Sequence, residues 1–149
     1  MSKTVLNEQA VIQLIHRVMK LTPTAEAIWG RMTVDEMLYH CNLTNNEILH
    51  AKPYSKKPKL KQLFLKFIVM HLLRKIPRRA KINSKFLKQK EQDLSFEAEK
   101  KCFIERITQF SQHSQAIYGK HPVFGRLSTK EWQHFVWMHM DHHLRQFGV

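Results

Sequence analysis

What most constrains this chain is how few places it has to turn. Its 149 residues hold four glycines (Gly30, Gly119, Gly125, Gly148) and five prolines (Pro23, Pro53, Pro58, Pro77, Pro122). Glycine and proline punctuate helices and open loops, and here they leave long stretches unbroken. No stretch alternates apolar and polar residues with the period of two that a half-buried strand needs. The chain therefore reads as all-α. One domain, residues 1–149, suits this length, and such a chain buries about 68–70% of its unfolded surface without a staple. With 43% hydrophobic and 25% charged residues, a disordered or fibrous chain is excluded.

Helix-start signals and periodicity then place the elements. A first helix is predicted over about residues 7–20, with Val11, Ile12, Ile15 and Met19 on its apolar side. The second opens at a capping box, Thr33-Val34-Asp35-Glu36, in which the Thr and Glu side chains each take a free backbone N–H. It runs to about residue 50 on a stripe of Val34, Met37, Leu38, Cys41 and Ile48. A shorter, more apolar helix spans about residues 59–76, between Pro58 and Pro77. The third long helix covers about residues 96–115 through Phe103, Ile107 and Phe110. The fourth starts at a second capping box, Ser128-Thr129-Lys130-Glu131, and ends at Gly148. Four amphipathic helices, with the short one inside the long second connection, predict a four-helix bundle.

Charge is concentrated in that connection, residues 52–92. Residues 52–90 carry 14 Lys/Arg and no acid, whereas the rest of the chain is close to neutral. This suits a solvated basic linker. It also suits an alternative, non-catalytic reading in which the segment binds nucleic acid or an anionic membrane surface. The contacts would then be Lys56, Lys57, Lys59, Arg74, Lys75, Arg78 and Arg79. The short helix combines apolar surface with basic residues as interfacial helices do, although covering the bundle or forming a homodimer contact suits it better. Its most apolar run, residues 63–73, is far short of the about 20 residues a membrane span needs. Two cysteines, Cys41 and Cys102, and no apolar signal core point to a reducing, cytoplasmic setting.

Chemistry concentrates on the fourth helix. At 100° per residue, Trp132, Phe135, Val136, His139, His143, Gln146 and Phe147 fall on one broad face, with His134 and Asp141 opposite and His142 on the flank. His139 and His143 thus stand one turn apart on the core side, a spacing at which two imidazoles share one metal ion. Ten histidines in 149 residues make one such pair no surprise by chance. Its inward aspect is what weighs, because two unpartnered histidines in a core carry a polar penalty. Further ligands must come from elsewhere, and His40 and His16 both lie at the margins of their apolar stripes. The helical wheel does not choose between them. No Asp or Glu falls on a buried stripe, so a carboxylate-rich di-iron site is not expected. Cys41, beside His40, reads as a small core residue rather than a nucleophile. His142 and Gln146 are candidates to line a pocket or to orient a ligand imidazole.

Two blocks carry a resemblance. Trp29-Gly30-Arg31-Met32-Thr33 followed by Glu36-Met37-Leu38-Tyr39-His40-Cys41 resembles the start of the second helix in the DinB-like superfamily. The stretch His121-Pro122-Val123-Phe124-Gly125-Arg126-Leu127-Ser128, then Glu131-Trp132 and residues 139–148, resembles the C-terminal signature of an uncharacterised bacterial branch. The resemblance implies a four-helix bundle holding a divalent metal through one histidine of the second helix and an i,i+4 pair on the fourth. Carried onto this chain, these are His40, His139 and His143. Zinc or nickel suits three neutral imidazoles best, with iron the next choice. DinB-like relatives include thiol-dependent transferases and isomerases and proteins labelled metal-dependent hydrolases. The implied partner is therefore a small-molecule substrate, such as a thiol, although a vestigial site fits the same residues.

Overall fold

Side-chain caps start the two helices that carry the histidines. In this computed structural model, which describes residues 4–5, 7–54, 56–73, 75–78, 94–113 and 115–149, both expected capping boxes form. Helix α2 (Val34–Leu49) begins where Thr33 Oγ1 accepts from Glu36 N at 3.3 Å and Glu36 Oε2 accepts from Thr33 N at 2.9 Å. The last helix, α5 (Thr129–Gln146), begins with the same exchange between Ser128 and Glu131, at 3.3 and 2.7 Å. Helix α1 (Glu8–Met19) is capped by Asn7, whose Oδ1 accepts from Ala10 N. Between α2 and α4 (Phe96–Gln112) lies α3 (Leu60–Phe67), continued by a π-helical segment Ile68–Leu73. The interruption into α-helix and π-helix replaces the single short helix expected over 59–76.

The structure is mainly helical. Among the described residues its one strand pairing is a two-residue antiparallel pair, β1 (Lys120–His121) with β2 (Gly125–Arg126), which the all-α expectation did not include. His121 closes it: its Nδ1 accepts the backbone N–H groups of Val123 and Phe124, both at 3.1 Å. The imidazole is buried, stacked on Phe124 with centroids 4.3 Å apart and edge-on to Phe135 at 4.4 Å. A histidine side chain thus does what a longer strand ladder would do, and it sets the turn that delivers the chain to Ser128.

Helix α1 contacts α4 and α5, and α2 contacts the same two helices. Phe103, Ile107 and Phe110 of α4 meet Leu14 and Val18 of α1 and Met37 and Leu38 of α2 in one core cluster. Burying each such side chain is worth about 1.5–3 kcal/mol. Two expectations are corrected. The buried face of α1 is Ala10, Val11, Leu14 and Val18, while Ile12 and Met19 are 57% and 58% exposed. The rotation follows from Arg17, which shares the Ala10–Leu14 side and reaches Asp141 on α5 at 2.8 Å. Asp141 itself is buried instead of facing solvent, because α5 is enclosed on nearly all sides: every residue from Phe135 to Leu144 is buried. Its carboxylate is matched by Arg17 and Arg145, each at 2.8 Å.

Candidate metal centre

Helices α2 and α5 bring three imidazoles to one point. His40 Nε2 lies 3.1 Å from His139 Nε2, and His143 Nε2 lies 3.2 Å from the same atom. The three residues form a group whose ligand atoms all fall within 4.8 Å of one another. The rings meet edge to face, with centroids 4.7–5.1 Å apart, and Phe135 stacks behind His139 at 5.7 Å. Imidazoles bound at about 2.0–2.1 Å to a tetrahedral ion place their nitrogens about 3.4 Å apart. The two separations to His139 Nε2, 3.1 and 3.2 Å, are within a few tenths of an ångström of that, and the third pair lies within 4.8 Å. Three such nitrogens can hold a metal ion.

The tautomer of His143 follows from its neighbours. Gln146 Nε2 donates to the Trp29 carbonyl at 2.7 Å, and a carbonyl can only accept. Gln146 therefore turns Oε1 towards His143 Nδ1, 3.0 Å away, and Oε1 can only accept. The ring proton of neutral His143 thus sits on Nδ1, and the lone pair sits on Nε2, facing His139. A single proton on His139 Nε2 can serve His143 or His40 but not both. A divalent cation satisfies all three nitrogens at once, so the donor set fits an ion better than it fits itself. Gly30 is what lets Gln146 stand there. Its φ is +96°, and a Cβ at this position would fall on Gln146 Nε2.

Burial keeps the cluster neutral. His40, His139 and His143 are 5%, 8% and 2% exposed. Desolvation, with a smaller contribution from His142, lowers His40 from 6.5 to about 4. Desolvation also takes His143 to about 3, aided by His40 and His142 and partly opposed by the bond to Gln146. His139 is held well below 6.5, again by burial first and then by His143 and His40. A buried imidazole disfavours its charged form, and the neutral form is the one that ligates.

The remaining candidates separate clearly. His16, which the wheel left level with His40, is exposed on α1. His142 is buried, its Nδ1 3.1 Å from the Ile76 carbonyl and its ring edge-on to His143 at 5.1 Å. Cys41 is fully buried with its Sγ 4.0 Å from Met37 Sδ, and desolvation pushes its thiol well up, which suits packing and not nucleophilic attack. Lys56, Lys57, Lys59 and Lys75 are exposed, and Arg78 lies over the Trp29 ring at 4.4 Å. Arg74 and Arg79 lie outside the described residues. Sequence reasoning missed the Trp29 carbonyl, which no side-chain pattern encodes. It also missed the role of Gly30, for which a glycine directly before the Arg31-Met32-Thr33 cap was the available signal.

Searches of curated proteins and of solved structures return no match to this chain. A family model does match, over residues 1–148, under the description "Protein of unknown function (DUF1569)". That match takes in both histidine-bearing helices and the loop that supports them, and the chain belongs to the DUF1569 family.

Proposed function

We propose that this chain is a DinB-like four-helix bundle that binds one divalent metal ion through the Nε2 atoms of His40, His139 and His143, and that the bound form is a metal-dependent transferase or hydrolase. The observation that carries the reading is the convergence of three buried, neutral imidazoles on one point. The bundle reading is supported by the closed ring of contacts in which α1 and α2 each touch both α4 and α5. Three protein ligands are the complement of catalytic metal sites, which keep a position open. When bound, such an ion supplies Lewis-acid activation of water or of a thiol. The chain's own part is to hold the lone pairs in place and keep protons off them. Zinc and nickel suit imidazole donors, with iron next, and a small thiol is the substrate class to try first.

Elemental analysis of the purified, tag-free chain is expected to find about one zinc, nickel or iron per molecule. His139→Ala should lower metal affinity on the order of a hundredfold or more, beyond the roughly 10–100-fold typical of losing an outer-shell partner. A wild-type chain that stays empty after metal addition overturns the reading.

The Gln146 contact makes a second, smaller expectation. Gln146→Ala and Gly30→Ala should each weaken metal binding by about 10–100-fold, because both free the His143 ring and its proton to shift. Gly30→Ala also adds strain at positive φ, of order 1–3 kcal/mol. Competition against a chromophoric chelator measures the affinity, and thermal melting of the metal-free form measures the strain. Unchanged affinity in both variants would show that Gln146 does not position His143.

A further inference from the structure

Helix α3 wears its apolar stripe on the outside. At 100° per residue Leu60, Leu63, Phe64 and Phe67 share one face, and they are 83%, 41%, 64% and 55% exposed. The half-buried side carries Gln62, Leu65 and Lys66, and Lys66 pairs with Glu131 at 2.8 Å. The π-helical continuation anchors itself through buried Met70 and exposes Leu72 and Leu73 at 65% and 50%. Six of the eleven large apolar side chains that are exposed among the described residues therefore lie within fourteen consecutive positions. Singly scattered exposed apolar groups need no explanation, but a contiguous set does.

Around this stripe the charge has one sign. Lys56, Lys57, Lys59, Lys61 and Lys75 are exposed, and residues 52–78 contain no Asp or Glu. Three kinds of occupant can be weighed against both features. A nucleic-acid duplex would use the lysines and leave the stripe in water, and a single strand could stack bases on Phe64 and Phe67 but would leave Leu60, Leu63, Leu72 and Leu73 uncovered. A second copy would cover the phenylalanines but would bring two acid-free, lysine-rich segments together. An anionic bilayer accepts both, with ammonium groups at the phosphate level and the apolar stripe below them. We propose that α3 and its π-helical continuation form a docking face for an anionic lipid surface, holding the chain on a membrane peripherally. No helix among the described residues is long and apolar enough to cross a membrane, and a docked interfacial helix has no need of one. The inference goes beyond the metal centre and does not rest on it.

Co-sedimentation of the full chain with vesicles tests this. Vesicles of phosphatidylcholine containing a quarter phosphatidylglycerol, at near-physiological salt, are expected to pull the wild type down, while pure phosphatidylcholine vesicles leave it in solution. The double substitution Phe64→Ala with Phe67→Ala leaves every charge in place and should weaken binding at least about tenfold, since it removes two inserted rings. Replacing Lys57, Lys59 and Lys61 by Gln should weaken it on the order of a hundredfold, at about fivefold per lysine. The phenylalanine variant should keep the wild-type melting temperature and metal content, because the two rings are more than half exposed. Four results overturn the proposal. The wild type may stay in the supernatant, or the phenylalanine variant may pellet as well as the wild type. Sedimentation equilibrium may show a wild-type dimer that this variant splits, which makes the face a homodimer seam. The chain may prefer duplex DNA to vesicles with no dependence on Phe64 and Phe67.

Discussion

With a chelator present to keep any metal off the histidines, the chain is expected to unfold as the pH falls from about 6.5 towards 5. Burial lowers His40 to about 4 and both His121 and His143 to about 3, from an ordinary 6.5. Below about pH 6.5 the unfolded chain takes up these three protons and the native chain does not, so stability is whole above that value and falls with pH down to the folded values. Each proton is worth about 1.4 kcal/mol per pH unit, so three cost about 4 kcal/mol per unit and about 6 kcal/mol by pH 5. A domain has only about 5–15 kcal/mol in hand. His139, lowered for the same reason, adds to the loss. His121 adds a specific route, because a protonated Nδ1 can no longer accept the Val123 and Phe124 N–H groups that close the β1–β2 turn. Urea midpoints measured by circular dichroism between pH 7 and 5 should give a slope of about three protons or more. His40→Leu should remove about one of them. Metal at about a hundred times its dissociation constant should add about 2.7 kcal/mol at neutral pH. A stability that stays flat over this range would mean that the histidines are not held neutral by the fold.

The sequence carried the elements that local chemistry specifies. Thr33 and Ser128, each followed by Glu three residues on, announced the starts of α2 and α5 to the residue, because a capping box is a contact within one turn. The His139–His143 pair was legible for the same reason: its spacing is a property of one helix. On the helical wheel His40 was legible only as one of two equals, and it was the resemblance that singled it out. The wheel gives an angle to a stripe but not which neighbouring helix stands there, and α1 turns His16 to solvent. The remaining differences come from tertiary partners. The rotation of α1 that exposes Ile12 and Met19 is set by Arg17 reaching 124 residues along the chain. The tautomer of His143 is set by a main-chain carbonyl 117 residues before Gln146. The outward stripe of α3 defeats the ordinary assumption that the apolar face of a helix is its buried face. That assumption holds only where something else in the chain covers it.

Asp141→Ala is expected to cost about 2–4 kcal/mol, towards the lower end of the 3–5 kcal/mol typical of breaking a buried pair. The carboxylate side chain is 11% exposed, with one oxygen on Arg17 and the other on Arg145, both at 2.8 Å. The two arginine side chains keep 22% and 29% exposure, so water compensates part of what they lose, and this places the figure below the full range. The consequence is wider than one pair, because Arg17 also donates to the Val149 carbonyl at 2.8 Å. It thereby clamps α1 both to Asp141 within the C-terminal half of α5 and to Val149, three residues past the end of that helix. Asp141 stands midway between His139 and His143 in sequence and on the other side of the helix, so the clamp sets how α5 presents its histidines to α2. For a chain of this size, 3 kcal/mol lowers the melting temperature by about 6–12 °C. Arg17→Ala should cost a comparable amount, and the double variant should show a coupling of about 1–3 kcal/mol, since the two side chains share one contact. If each single substitution costs under about 1 kcal/mol and the two add without coupling, the pair behaves as an exposed one. The orientation of α5 would then rest on its apolar contacts alone, on Val136, Met140 and Leu144 in the core cluster.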